Sequence, residues 1–158
     1  MPGELVAKEG SDAKGGYYTP IAGELDQGFK ARPIFYGMYL ANQLAGTQSK
    51  EVSLTTNGVD ATAYAGQKEG QLKIALFNKD QKNDLRLVIE IPQGFKMADV
   101  WRLTAPHLDS TSGVMLAGAE MPTAGTWSPT DIEAPAINAD RLTLDLPKTS
   151  AALLFLNS

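Results

Sequence analysis

The chain has 158 residues, of which 43% are hydrophobic, enough for one domain with a substantial core. Charged residues make up 20% and the net charge is -4, with the basic residues scattered, which argues against a nucleic-acid surface built on a clustered Lys/Arg face. The absence of cysteine excludes disulfides and thiolate metal sites, but it fits an exported bacterial protein as well as a cytosolic one.

The opening stretch, "MPGELVAKEGSDAKGG", lacks the apolar core of a signal peptide. No apolar run in the chain approaches the roughly 20 residues needed to cross a bilayer, so the sequence itself carries no address. Residues 1–16 are expected to be a flexible segment, and 17–50 an extended segment followed by one helix. That helix is "ARPIFYGMYLANQLAG". Pro33 suits its first turn, where the missing N–H would have had no partner, and Gly46 suits its stop. Ile34, Phe35, Met38, Ala41, Leu44 and Ala45 recur at three- and four-residue steps and define an apolar stripe. "GTQSKE" is the expected linker.

From Glu51 the period changes to two, and 51–158 is expected to be a sandwich domain. "EVSLTT" and "VDATAYA" alternate on either side of an Asn57-Gly58 turn and predict a hairpin. "QLKIALFN" and "DLRLVIEI" follow, joined by the polar turn "KDQKN". Next come "MADVWRLTA", the short "GVMLAG", and, after a long loop, "RLTLDL". The closing "AALLFLN" is apolar at nearly every position, as expected of a central strand covered on both faces. About eight short strands at fairly even spacing predict a mainly β fold, an antiparallel β-sandwich preceded by one α-helix.

Motifs for catalysis are thin. His107 lies in the loop "TAPHLDSTSG" with no second histidine and no cysteine, so it suits neither a zinc site nor, without a G-x-S-x-G elbow, a serine triad. "GQKEGQ" lacks the spacing of a phosphate-binding loop. Asp84, Glu90 and Asp145 alternate with apolar residues on strand faces open to solvent, which does not suggest the paired carboxylates of a glycosidase. No catalytic residue, metal ligand or cofactor is assigned. Trp127 is the better lead. It lies in the irregular stretch 117–140, which is long for a connection, and its indole is suited either to stacking on a sugar ring or to closing the end of the sandwich as a lid. Trp101 sits in a strand pattern and is expected in the core.

The order "GGYYTPIA", "ARPIFYGMYLANQLAG", "TAYAGQKEGQLKIALFNKD", "VWRLTAPHLDSTSGVMLAG", "GTWSP" and "SAALLFLN" resembles the C-terminal region of glycoside hydrolase family 79, the β-glucuronidase-like and heparanase-like enzymes, from about Gly15 onward. The resemblance implies that catalysis belongs to a (β/α)8 barrel with a β-sandwich packed against it. The stretch from Pro33 to Ala45 would then correspond to the last barrel helix. Nothing before Gly15 supplies the rest of a barrel, so the family's two catalytic glutamates match no position here.

The expected function is therefore a noncatalytic C-terminal accessory domain of a glycoside-hydrolase-like protein, with a structural or surface-interaction role. The alternative is a free-standing carbohydrate-binding module using Trp127 with Tyr17 or Tyr18. The expected partners are a glycosidase barrel or a glycan, with no nucleic acid and no membrane span. A periplasmic or extracellular location is implied by the resemblance alone.

Overall fold

The computed structural model describes residues 19–24 and 28–158; Tyr17, Tyr18 and the segment 1–16 lie outside the described residues. The elements in order are β1 (Ile21–Glu24), β2 (Gly28–Ala31), α1 (Pro33–Asn42), β3 (Gln48–Lys50), β4 (Ala61–Lys68), β5 (Gln71–Asn78), β6 (Leu85–Glu90), β7 (Met97–Thr104), β8 (Met115–Leu116), β9 (Arg141–Leu146) and β10 (Ser150–Asn157). Every strand pairing is antiparallel. One sheet has six strands in the order β3-β4-β5-β10-β7-β8, and two two-stranded sheets are β1-β2 and β6-β9.

Strand periodicity separates two cores. Successive side chains of a strand point to opposite faces, so the apolar run of β10 serves both sides of the large sheet. Ala152, Leu154 and Leu156 join Leu72, Ile74, Leu76 and Val100, and they meet Leu85, Leu87, Leu142, Leu144 and Leu146 of the β6-β9 sheet. Ala151, Leu153 and Phe155 face the other way, where Tyr36 and Leu40 of α1 cover them together with Leu116. The molecule is thus a mainly β antiparallel sandwich with a helix on the outer face of its larger sheet. The closing strand is central and covered on both faces, as its composition predicts.

Between β5 and β6 the "KDQKN" turn is held by one side chain. Asp80 Oδ1 accepts from the backbone N–H groups of Lys82 and Asn83 at 2.8 and 2.9 Å. These hydrogen bonds to the charged form keep the Asp80 carboxyl below its ordinary value.

Three local expectations are corrected. "EVSLTT" forms no strand: β4 is paired along 65–67 by Gln48–Lys50, inside the expected linker, and the chain then leaves the sheet edge. Leu54 and Val59 pack into the core from irregular backbone; of the predicted hairpin, the turn at Asn57-Gly58 and the second strand, as β4 from Ala61, are present, while the first strand is not. The early β1-β2 hairpin is an addition to the predicted strands. The helix begins at Pro33 as predicted, but its buried residues are Tyr36 and Leu40, while Ile34 and Met38 of the predicted stripe are 47% and 55% exposed. Phe35 and Leu44 are half-buried, so the stripe is split between the sandwich and solvent.

Candidate functional site

The end of α1 is fixed from outside the helix. Beyond Asn42 the backbone tightens into i→i+3 turns, with N–H groups of Gln43, Leu44 and Ala45 donating to Leu40, Ala41 and Asn42. Lys73 of β5 donates from Nζ to the Gln43 carbonyl at 2.9 Å and lies over the Phe155 ring, bringing a cation to the negative end of the helix. Thr47 crosses β4 so closely that a Cβ on Gly66 would fall 2.0 Å from its Oγ1. These contacts set the helix against the sheet in one orientation.

The long loop after β8 is closed at its base. The N–H groups of Thr130 and Asp131 both donate to the Ala117 carbonyl at 2.9 Å. Gly118 there has φ +75, and a Cβ on it would stand 2.6 Å from Asp131 Cβ, so both the conformation and the space require glycine. Further along, the Met121 N–H donates to the Tyr36 hydroxyl at 2.8 Å, which ties the loop to the helix. Glu133 is held by Arg102 of β7: Nε and Nη2 donate to the two carboxylate oxygens at 2.7 and 2.9 Å, and Nη1 donates to the Asp145 carbonyl of β9. The Arg102 hydrogen bonds hold the Glu133 carboxyl below its ordinary value, against a smaller upward push from burial.

This loop, α1 and the β1-β2 hairpin enclose a groove of about 270 Å³, lined by Ile21, Phe29, Lys30, Ala31, Phe35, Tyr39, Met121, Pro122, Thr123, Gly125 and Trp127. Its wall continues a chain of aromatic contacts from the core. Phe155 meets Trp101 with centroids 4.7 Å apart, Trp101 meets Trp127 at 5.3 Å, Trp127 meets Tyr39 at 5.4 Å, and Tyr39 meets Phe35 at 6.4 Å. The first three contacts are edge-to-face, a favoured geometry for ring quadrupoles. The groove is mostly apolar, with Lys30, Thr123 and Tyr39 among its polar side chains.

Trp127 is half-buried: it packs on Trp101 and Tyr39 and also lines the groove. Trp101 lies half-buried against the same cluster. The carboxylates stand elsewhere. Asp84 accepts from the Lys148 N–H, Glu90 pairs with Arg141, and Asp145 pairs with Arg86. None lines the groove, and His107 is exposed on its own loop. Among the described residues no cluster of histidine and carboxylates suits a metal ion. Sequence reasoning missed Phe29, Lys30 and Tyr39, because the hairpin that brings the first two to the groove was unrecognised and Tyr39 lay off the assigned stripe.

No protein-family profile matches the chain, and no curated protein matches it. Solved structures do. The GH51 α-L-arabinofuranosidase of Thermotoga petrophila is similar over 85% of this chain and 31% of its own, with 16% identity and a TM-score of 0.64. The GH51 arabinofuranosidase of Xanthomonas axonopodis pv. citri is similar over 87% of this chain and 28% of its own, with 16% identity and a TM-score of 0.60. The 4-O-α-L-rhamnosyl-β-D-glucuronidase of Fusarium oxysporum is similar over 76% of this chain and 29% of its own, with 18% identity and a TM-score of 0.59. The fold is therefore one that occurs within glycoside hydrolases, and this chain spans less than a third of the length of each of these enzymes.

Proposed function

We propose that the chain is a noncatalytic β-sandwich accessory module of a glycoside-hydrolase-like protein, akin to the C-terminal region of family 79, with a structural or surface-interaction role. The observation that carries this reading is the similarity of most of this chain to a minor part of three much longer glycosidases. The outward residues Ile34 and Met38 of α1 support it, since they offer an apolar face to the remainder of a larger polypeptide. A site outside the cytoplasm accompanies the proposal. The pure chain is expected to leave aryl glucuronides and aryl arabinofuranosides intact. Turnover proportional to protein concentration, and lost on substitution of one of its carboxylates, would falsify the noncatalytic reading.

The aromatic groove favours a second reading, glycan binding. A sugar ring stacked on Trp127, with Lys30 beside it, would bind weakly, because one aromatic contact contributes on the order of 1 kcal/mol beyond area burial. In a Trp101→Phe variant, Trp127 is the remaining tryptophan. A fluorescence change on titration with uronic-acid-containing oligosaccharides, absent after Lys30→Ala, supports this reading, and a flat titration removes it.

A further inference from the structure

The two sheets of the sandwich are unequal, and the outer edge of β6 in the smaller one has no partner among the described residues. The Ile91 N–H donates to the Asp140 carbonyl at 2.8 Å, which sets the phase of the β6-β9 ladder. Hydrogen-bonded pairs alternate in an antiparallel pair, so Leu85, Leu87 and Ile89 exchange bonds with β9, and the N–H and C=O groups of Arg86, Val88 and Glu90 point away from it. On β9 the outward positions at the two ends are engaged. Asp145 accepts from Arg102, and Arg141 exchanges two backbone bonds with Asn138. On β6 no backbone hydrogen bond among the described residues reaches Arg86, Val88 or Glu90.

Exposed edges are ordinarily blunted by proline, by a bulge, or by charge that repels a second strand. β6 has neither proline nor positive φ. Its charges are opposite in sign and placed symmetrically, Arg86 two residues before Val88 and Glu90 two residues after, and Val88 is 63% exposed between them.

We propose that β6 is a self-pairing edge, and that its occupant is β6 of a second copy of this chain, antiparallel about a two-fold axis through Val88. In that register Val88 faces Val88 of the second copy, and Arg86 faces Glu90 of the second copy in both halves, as an isologous contact requires. Centring the pair on Arg86 or on Glu90 instead sets like charges against each other. The charge pattern extends across the whole assembly. Asp145 already pairs with Arg86, and Arg141 with Glu90, so each row of the resulting four-stranded sheet alternates in sign from Asp145 through Arg86 to Glu90 and Arg141 of the second copy. A strand from an unrelated polypeptide would have no reason to match this symmetric arrangement. The surface lies on the opposite sheet from α1, so this pairing is independent of the accessory-module reading.

The test is the mass of the purified chain by sedimentation as concentration rises. A reversible dimer is expected, weak because the contact is small, with half-association on the order of 10–100 µM and weaker at high salt. Val88→Pro deletes an N–H that points away from β9, so the variant is expected to keep the wild-type circular dichroism and to be monomeric. Arg86→Glu leaves two acidic side chains on this edge and Glu90→Arg leaves two basic ones. Each variant alone is expected to be monomeric, and an equimolar mixture is expected to recover a mixed dimer. A wild-type mass constant at the monomer value up to about 1 mM overturns the proposal. So does a dimer that survives Val88→Pro, or a mixture that stays monomeric.

Discussion

At the scale of single residues, Arg102 does more than its place on a strand suggests. Its guanidinium joins Glu133 of the long loop to the Asp145 carbonyl of the second sheet, and it is the more buried partner of the pair. Arg102→Met is expected to lower stability by about 1–2 kcal/mol near neutral pH, as for hydrogen bonds to charged groups discounted for the exposure of Glu133. The pH dependence follows from the depressed Glu133 carboxyl. A group with a lowered folded-state value stabilises the fold above its unfolded value and loses that contribution as pH falls through the folded one. Urea unfolding should therefore separate wild type from Arg102→Met at about pH 7 and bring them closer together at about pH 3. Trp127→Ala should cost about 3 kcal/mol if the ring serves chiefly as a lid on Trp101 and Tyr39, and clearly less if it mainly faces the groove. Gly118→Ala meets both an unfavourable φ and Asp131, and should lower stability by about 1–3 kcal/mol. Trp127 was legible as a candidate, but the roles of Arg102 and Gly118 were not: both depend on the long loop returning toward its own base, which leaves no periodic trace.

At the scale of elements, the strands from β4 onward were legible and the helix face was not. Leu142, Leu144 and Leu146 alternate with Arg141, Thr143 and Asp145, and the structure buries the first set and exposes the second. The helix misled because its stripe was assigned by apolar character. Tyr36 and Leu40 instead face the sheet, Tyr36 because its hydroxyl reaches the Met121 N–H while its ring fills the core. Leu40→Ala is expected to cost about 2–5 kcal/mol, whereas Met38→Glu should change the stability of the chain by no more than about 0.5 kcal/mol. Thermal unfolding of the two variants checks this; a large loss for Met38→Glu would mean that the outward face is already covered. "EVSLTT" failed for a different reason. Gln48–Lys50 pair with β4 only at 65–67, and 51–56, which would extend that register along 59–64, leaves the sheet edge instead, with Leu54 turned into the core.

At the scale of the whole molecule, the groove was half legible. Trp127 stood out because a tryptophan in an irregular stretch has few structural reasons to be there, but its neighbours come from β2 and α1, far away in sequence. A local reading has no access to such distances. The proposed functions also divide by surface. The groove and the outward side of α1 would serve a larger polypeptide or a glycan, and the β6 edge would serve a second copy. Light scattering of Ile34→Glu and Val88→Pro variants should separate them, since only the second is expected to change the self-association of the chain.

The place of β10 bears on how the molecule is made. It lies between β5 and β7, and these two strands are joined through it and not to each other. Without Ser150–Asn157, the six-stranded sheet would be divided into β3-β4-β5 and β7-β8, each with an uncovered strand edge. Contacts between partners so distant in sequence form slowly, on the order of milliseconds to seconds for β-rich folds. A β5 or β7 edge not yet covered by Ser150–Asn157 is the kind of bare strand that pairs with other chains, so aggregation during refolding is expected to compete until β10 is in place.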